Sequence, residues 1–361
     1  MSAVLPDLDR AIEQRARELF GDETPRRREP HAGFAPTPLG ELAIRLELNA
    51  DRAWLVREYL GLGELLILYG AGKVGKSTFV ASLAAAVARG EPFLGRGTKQ
   101  GGVLWLDNEN HASRVVRKLA EAGCPSDAVL VYCGPPPPLA DVRSLILERD
   151  VRLLVVDSLI GQLRPEDEND AAQVRNLVSP LLDLAHETEA TALAVAHARK
   201  SGGDHGDAMR GSSALRDAVD GYLQMTRVGG GEPDDDRRQL SYEGRDDSPP
   251  RQLVVRRTLG PVDERFVIRS RGGEGIVQTN VSYTLAKGPA QERRDKILTA
   301  LARGPQEADA IATELDAVKS TVLGDLEMLR AARRVVRSGA GRKGDPYTFT
   351  LSLSDSFDVD E

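Results

Sequence analysis

Aromatic residues are scarce in this 361-residue chain, at 4% of the sequence, which argues against a protein built on broad aromatic platforms for carbohydrate or ring-shaped ligands. Cysteine is nearly absent. Cys124 and Cys133 form neither a CxxC pair nor, with histidine, a zinc-ligand spacing, so neither a disulfide scaffold nor a structural metal is expected, and a reducing, cytoplasmic setting fits. No run approaches the roughly 18 apolar residues that span a bilayer, and the N-terminus has no uninterrupted apolar segment of signal-peptide type, so no membrane partner is expected. Excess basic charge is lacking too: a formal net charge of -7 excludes a polycation that coats nucleic acid and makes any nucleic-acid site local. What is present is an ordinary globular composition, 41% apolar and 29% charged, over a length that suits more than one domain.

Apolar residues recur at helical spacing from Asp7 to Phe20, and a Pro- and Arg-rich stretch to Pro38 reads as a linker, so residues 1–50 are expected to be an N-terminal helix and linker. From Leu65 short apolar runs alternate with amphipathic stretches. Strands are predicted at Leu65–Tyr69, Gly102–Asp107, Ala128–Cys133, Arg152–Asp157 and Thr191–His197, with helices at Lys76–Arg89, Ala112–Ala122, Val142–Glu148 and Ala171–Thr188 between them. That is an α/β class, doubly wound around a mostly parallel sheet. After Gly221–Arg227 three more runs, Arg238–Gly244, Gln252–Arg257 and Arg265–Arg269, are separated by Gly, Pro and Asp turns and predict an antiparallel extension, giving one domain over residues 51–286. Residues 287–351 hold helical stretches Gln291–Arg303, Glu307–Leu315 and Lys319–Ala331, then Arg334–Val336 and Tyr347–Leu351 about a Gly-rich turn, a winged-helix pattern; residues 352–361 are an acidic tail.

The segment Gly70-Ala71-Gly72-Lys73-Val74-Gly75-Lys76-Ser77 follows a predicted strand and opens a predicted helix, the context a P-loop requires. Glycines there let backbone N–H groups converge on phosphate at a helix N-terminus. Lys76 would neutralise the β- and γ-phosphates of ATP, Thr78 continues the cradle, and the Ser77 hydroxyl is a ligand for Mg²⁺. Asp157 ends the strand Arg152–Asp157 at the sheet's carboxyl edge and is the expected partner of that metal, unless it merely caps the next segment. Beyond the strand ending in Asp107 stands Glu109, the candidate general base, with Asp107 as its rival and helix capping as the plainer role for either; Asn108 would help orient water or nucleotide. His197 closes a strand on the same edge, which makes it either a γ-phosphate sensor or a structural histidine.

With Lys76, Glu109, Asp157 and His197 in that order, and with Ala196-His197-Ala198-Arg199-Lys200 and Arg210-Gly211-Ser212-Ser213-Ala214-Leu215-Arg216-Asp217-Ala218-Val219-Asp220 beyond them, residues 54–269 resemble the RecA/DnaB superfamily, and most of all plasmid- and phage-type replicative helicases of the RepA kind. The resemblance implies a RecA-like core, ATP bound between subunits of a ring, usually a hexamer, and a finger arginine reaching the neighbour's γ-phosphate. Aligned with the family pattern, that arginine is Arg227, with Arg210 competing. It also implies single-stranded DNA in a central pore, gripped by the loops Leu159–Asp170 and Lys200–Ser213, where Lys200 and Arg210 would meet phosphates. The first loop departs from this by being acidic, and Met225 stands where such helicases often carry a basic residue.

In the C-terminal segment Lys319, Ser320 and Thr321 begin an amphipathic stretch of recognition-helix type, and Arg334, Arg337, Arg342 and Lys343 lie in a basic run with Arg330 and Arg333. Those residues are candidates for duplex DNA, the alternative being a docking module for a replication protein. The expected function is therefore an ATP-hydrolysing, ring-shaped DNA motor. A regulatory or recombination-associated ATPase that switches assembly on DNA without unwinding it is the other reading.

Overall fold

The computed structural model describes residues 38–40, 53–163, 171–197, 218–228, 235–245, 250–269, 277 and 279–352. The expected N-terminal helix at Asp7–Phe20, Lys200, Arg210, most of the Leu159–Asp170 loop and the acidic tail beyond Ser352 lie outside them.

A short antiparallel hairpin, β1 (Trp54–Val56) and β2 (Leu60–Gly61), leads into β3 (Leu65–Gly70). Then come α1 (Lys76–Arg89), β4 (Gly102–Asp107), α2 (Ala112–Glu121), β5 (Val129–Cys133), α3 (Leu139–Glu148), β6 (Val151–Asp157), α4 (Leu159–Leu163), α5 (Ala171–Thr188) and β7 (Thr191–His197). Four strands extend the sheet: β8 (Gly221–Arg227), β9 (Arg237–Gly244), β10 (Gln252–Pro261) and β11 (Thr279–Leu285). The nine-stranded order is β11-β10-β9-β8-β3-β7-β6-β4-β5, parallel from β8 to β5 and antiparallel from β8 out to β11.

Period-two alternation sorts the strand residues onto two cores. Leu66, Leu68, Trp105, Val155, Leu193, Leu240 and Tyr242 face α1 and α2, while Leu65, Ile67, Leu104, Leu154 and Ala192 face α3 and α5. Every residue of β3 is buried, as a central parallel strand demands, and each buried leucine there contributes about 1.5–3 kcal/mol. The alanine-rich α1 is buried along nearly its whole length, because β11 and α2 pack on it in addition to β3, β4 and β6. Gly90 ends the helix in a left-handed conformation, its N–H returning to Val87 O at 3.2 Å.

The third antiparallel strand corrects the expectation. Arg265–Arg269 is no ladder strand: the Asp263 side chain accepts the Arg265 N–H and turns Glu264–Phe266 into a 3₁₀ helix. The partner of β10 is instead Thr279–Leu285, whose Val281 and Tyr283 alternate inward.

Residues 289–351 form α6 (Pro289–Leu301), β12 (Gln306–Glu307), α7 (Ala308–Glu314), α8 (Lys319–Ala331), β13 (Val335–Ser338) and β14 (Thr348–Leu351). The three strands make an antiparallel sheet in the order β12-β14-β13. A separate core of Ile297, Ile311, Val322, Leu326 and Phe349 joins them, and Asp325, buried within α8, pairs with Arg293 and Arg294 of α6. No helix among the described residues is long and apolar enough to cross a membrane.

Candidate functional site

The loop between β3 and α1 is wound by two left-handed residues, Lys73 (φ 62°) and Gly75 (φ 108°), and such alternation of hand makes a concave run of amides suited to an anion. Gly70 serves a different need. A Cβ there would lie 2.3 Å from the Met225 carbonyl oxygen of β8, so this glycine permits the close approach of two strands. Around Gly72 nothing stands within 4 Å of a Cβ position, which leaves that side of the loop open. Lys76 is 5% exposed, and its Nζ donates to Gly70 O at 2.8 Å and Ala71 O at 3.1 Å. Burial lowers its pKa, against the pull of the Asp157 and Glu109 carboxylates.

The strand ends β3, β4, β6 and β7 bring four predicted residues to one edge. His197 is in register with Gly70, and Asp157 with Asp107. Asp157 is 4% exposed, with Oδ2 3.8 Å from Lys118 Nζ and without a hydrogen-bond partner. Burial raises its pKa, opposed by a hydrogen bond with Ser77 and by the Lys118 charge, and reinforced by Asp107 and Glu109.

Asp107 is fully engaged. Its Oδ1 accepts the N–H groups of Glu109 at 3.1 Å and Asn110 at 2.7 Å, both oxygens accept from the Asn110 amide, and Trp105 Nε1 lies 3.5 Å from Oδ2. Glu109, by contrast, presents its carboxylate to the site: Oε1 accepts from the Ser158 hydroxyl and Oε2 lies 3.8 Å from His197 Nε2. Asn108 bridges loops rather than facing the cleft, donating to Ser158 O at 3.2 Å while its Oδ1 accepts the Ser158 N–H at 3.3 Å.

Lys76, Ser77, Glu109, Asp157 and His197 line a cleft of about 350 Å³ together with residues that sequence reasoning missed: Lys118, Arg238, Arg257 and Tyr283. The last three come from β9, β10 and β11, so the antiparallel extension curls round to wall the P-loop. Arg238 donates to Val74 O at 2.7 Å, Arg257 pairs with Asp236 at 2.8 Å, and the Tyr283 hydroxyl lies 3.3 Å from where a Gly75 Cβ would be. Strict alternation along β9 was the signal available for Arg238.

Arg227, exposed at the end of β8, does not line this cleft, and stands opposite Arg238 in the ladder. The C-terminal candidates are not brought to the cleft either. Lys319, Ser320 and Thr321 are exposed on the first turn of α8, with Lys319 Nζ 2.6 Å from Asp309. Arg334, Arg342 and Lys343 are exposed, whereas Arg337 sits 4.2 Å over the Tyr347 ring and 3.3 Å from Glu327. The basic run thus has acidic company: Glu327 also binds Arg330.

Residues 45–203 match the family model for an AAA domain, a span of less than half the chain that includes the P-loop, Glu109, Asp157 and His197. No curated protein matches the sequence. With the sheet order and the loop geometry, that match identifies the span as a P-loop ATPase-type domain in an α/β fold of RecA-like organisation.

Proposed function

We propose that the chain is an ATP-hydrolysing motor of the ring-shaped replicative-helicase type, which couples hydrolysis at subunit interfaces to movement along single-stranded DNA. The observation that carries the hydrolytic part is the Glu109 carboxylate, held by Ser158 and facing His197 beside Lys76 and Asp157. In this reading the backbone from Gly70 to Ser77, with Thr78, cradles the phosphates and Lys76 neutralises them. Glu109 takes the proton of the attacking water, a role worth about two to four orders of magnitude in rate, and His197 positions Glu109 and senses the γ-phosphate.

Ser77 and Asp157 suit Mg²⁺, a hard cation: a hydroxyl stands beside a buried carboxylate whose Oδ2 has no hydrogen bond. Bound there, the ion would neutralise charge on the transferring phosphoryl group. The exposed position of Arg227 outside its own cleft supports its serving a neighbour's cleft in a ring. Lys200 and Arg210 are the proposed contacts to single-stranded DNA. The C-terminal module, read as a winged helix, would engage duplex DNA through Lys319, Ser320, Thr321, Arg334, Arg337, Arg342 and Lys343, or else a replication protein.

The test is ATP turnover with and without single-stranded DNA, paired with displacement of a labelled strand from a forked duplex. DNA-stimulated turnover and ATP-dependent displacement, both lost in Lys76→Ala and Glu109→Gln, are expected. Turnover with DNA binding but no displacement would replace the motor with an ATPase that switches assembly. A native mass spectrum that shows only monomer in ATP and Mg²⁺ would overturn the finger role of Arg227. Deleting residues 289–361 should weaken duplex binding, with a steep salt dependence in the intact chain; unchanged binding would make the module a protein dock.

A further inference from the structure

Arg238 is a buried cation that forms no ion pair with a carboxylate among the described residues. It is 8% exposed and begins the face of β9 that continues through Leu240 and Tyr242 into the core beneath α1. Its guanidinium meets backbone oxygens: Nε donates to Val74 O at 2.7 Å, and Nη1 donates to Asp235 O and Arg237 O, each at 2.6 Å. Among the described residues no acid is within ion-pair distance. Arg227 lies across from it on β8, and Arg257 shares the cleft wall. Buried charges are ordinarily paired, because desolvation is costly. Asp236 gives it some electrostatic support, and an anion in the cleft that Arg238 lines with Lys73, Lys76 and Lys118 would add more.

The residues beside Arg238 turn the other way. Arg237 donates from Nε and Nη2 to the Asp235 carboxylate, and from Nη1 to Glu292 Oε1 at 2.8 Å and Lys287 O at 3.3 Å. Glu292 is in the first turn of α6, and Lys287 is in the segment leading to it. Asp236 meanwhile holds Arg257 in the cleft wall. Four consecutive residues therefore grip the P-loop, the wall of the cleft and the C-terminal module, with Arg237 and Arg238 on opposite faces of β9.

We propose that Arg238 is a positioning residue of the nucleotide site, acting on bound phosphate through the Val74 carbonyl, and that with Arg237 it couples filling of the cleft to the seat of α6. This rests on reading the cleft as a nucleotide site. A polyphosphate in the cleft offsets the repulsion between Arg238 and Arg257, which both line it, and so steadies the segment that holds Glu292. Linkage is reciprocal: loosening Glu292 must weaken nucleotide binding by the factor with which nucleotide tightens α6.

The experiment uses the full chain, Mg²⁺ and a fluorescent ADP analogue, with hydrogen exchange of residues 285–292 measured with and without ADP. Arg238→Gln is expected to weaken binding by about tenfold or more, with Arg238→Lys recovering part of the loss. Glu292→Gln is expected to weaken it by about fivefold and to abolish the ADP-dependent protection of residues 285–292 that the wild type shows. Wild-type affinity in Arg238→Gln overturns the positioning role; should that variant not fold, wild-type affinity in Arg238→Lys overturns it. Wild-type affinity and protection in Glu292→Gln overturn the coupling. A wild type that binds while these variants match it sinks this inference alone, whereas a wild type that binds no better than Lys76→Ala sinks the nucleotide site with it.

Discussion

Asp107 accepts the backbone N–H of Asn110 at 2.7 Å, and by closing that turn fixes where the intervening Glu109 can stand. The two carboxylates, rivals in the sequence, are separated by their partners: one is spent on local hydrogen bonds, the other is presented to the cleft. Glu109→Gln is expected to lower ATP turnover by about 10²–10⁴ while keeping nucleotide affinity and the melting temperature. Asp107→Asn should lower both turnover and stability, by about 1–3 kcal/mol, because amide hydrogens face N–H groups that need an acceptor. Phosphate release and thermal melts of both variants separate the roles, and the reverse pattern would make Asp107 the base.

Asp157 predicts a gain of stability with a loss of function. Its raised pKa means that the folded protein holds this proton more tightly than the unfolded chain does. Ionisation therefore costs folding free energy, a cost absent below the unfolded value and growing as pH rises through the raised folded one. Asp157→Asn is expected to raise the Tm of the nucleotide-free protein at pH 7 by about 2 °C or more, the shift about 1 kcal/mol produces in a chain of this size, and to abolish turnover. The gain should shrink as the pH is lowered toward 4. Calorimetry at the two pH values checks it, and a Tm below wild type at pH 7 would refute it.

Two glycines of the phosphate loop should fail in different ways. Gly70→Ala pushes a methyl group into the Met225 carbonyl and is expected to cost stability in the range of about 1–3 kcal/mol. Gly72→Ala has open space and should melt near wild type, so any loss of ADP affinity there reports crowding of the ligand. Urea unfolding set beside nucleotide titration distinguishes them.

Cys124 is buried, and burial pushes its thiol pKa up to about 12. The thiolate is the reactive form, so native Cys124 should resist a thiol reagent across the range of pH 7 to 9 and react promptly once unfolded. Cys133, half-buried and also raised by burial, should label slowly but first. Mass spectrometry of timed labelling tells the two apart; early modification of Cys124 would show that the core beside α1 opens.

Much of the core was legible because local signals agreed. The run from Leu65 to Tyr69, the glycine turn and the alanine-rich helix each pointed to the same strand, loop and helix, and the carboxylates fell at the ends of apolar runs. The antiparallel edge was harder to read. Arg265–Arg269 is rich in strand formers, but Asp263 captures the Arg265 N–H and guanidinium and bends it, a competition between side chain and ladder that pattern alone does not resolve. Arg238, Arg257 and Tyr283 were missed for a different reason. They reach the cleft only because the sheet carries β9–β11 around α1, and no spacing from the P-loop announces that return. Lys118 likewise looked like one more polar position on α2, yet it stands 3.8 Å from Asp157.

The roles of Asp235–Arg238 depend on parity. Because successive residues of β9 serve opposite faces, the count of residues between the strand's core positions and this segment matters as much as their identity. Removing one residue ahead of Leu240 would leave the composition almost intact and turn Arg237 toward the P-loop carbonyl while Asp236 took the place that meets α6. An acid would then face Glu292. Removing two would restore the faces but shorten the reach, so odd and even deletions here should differ in kind.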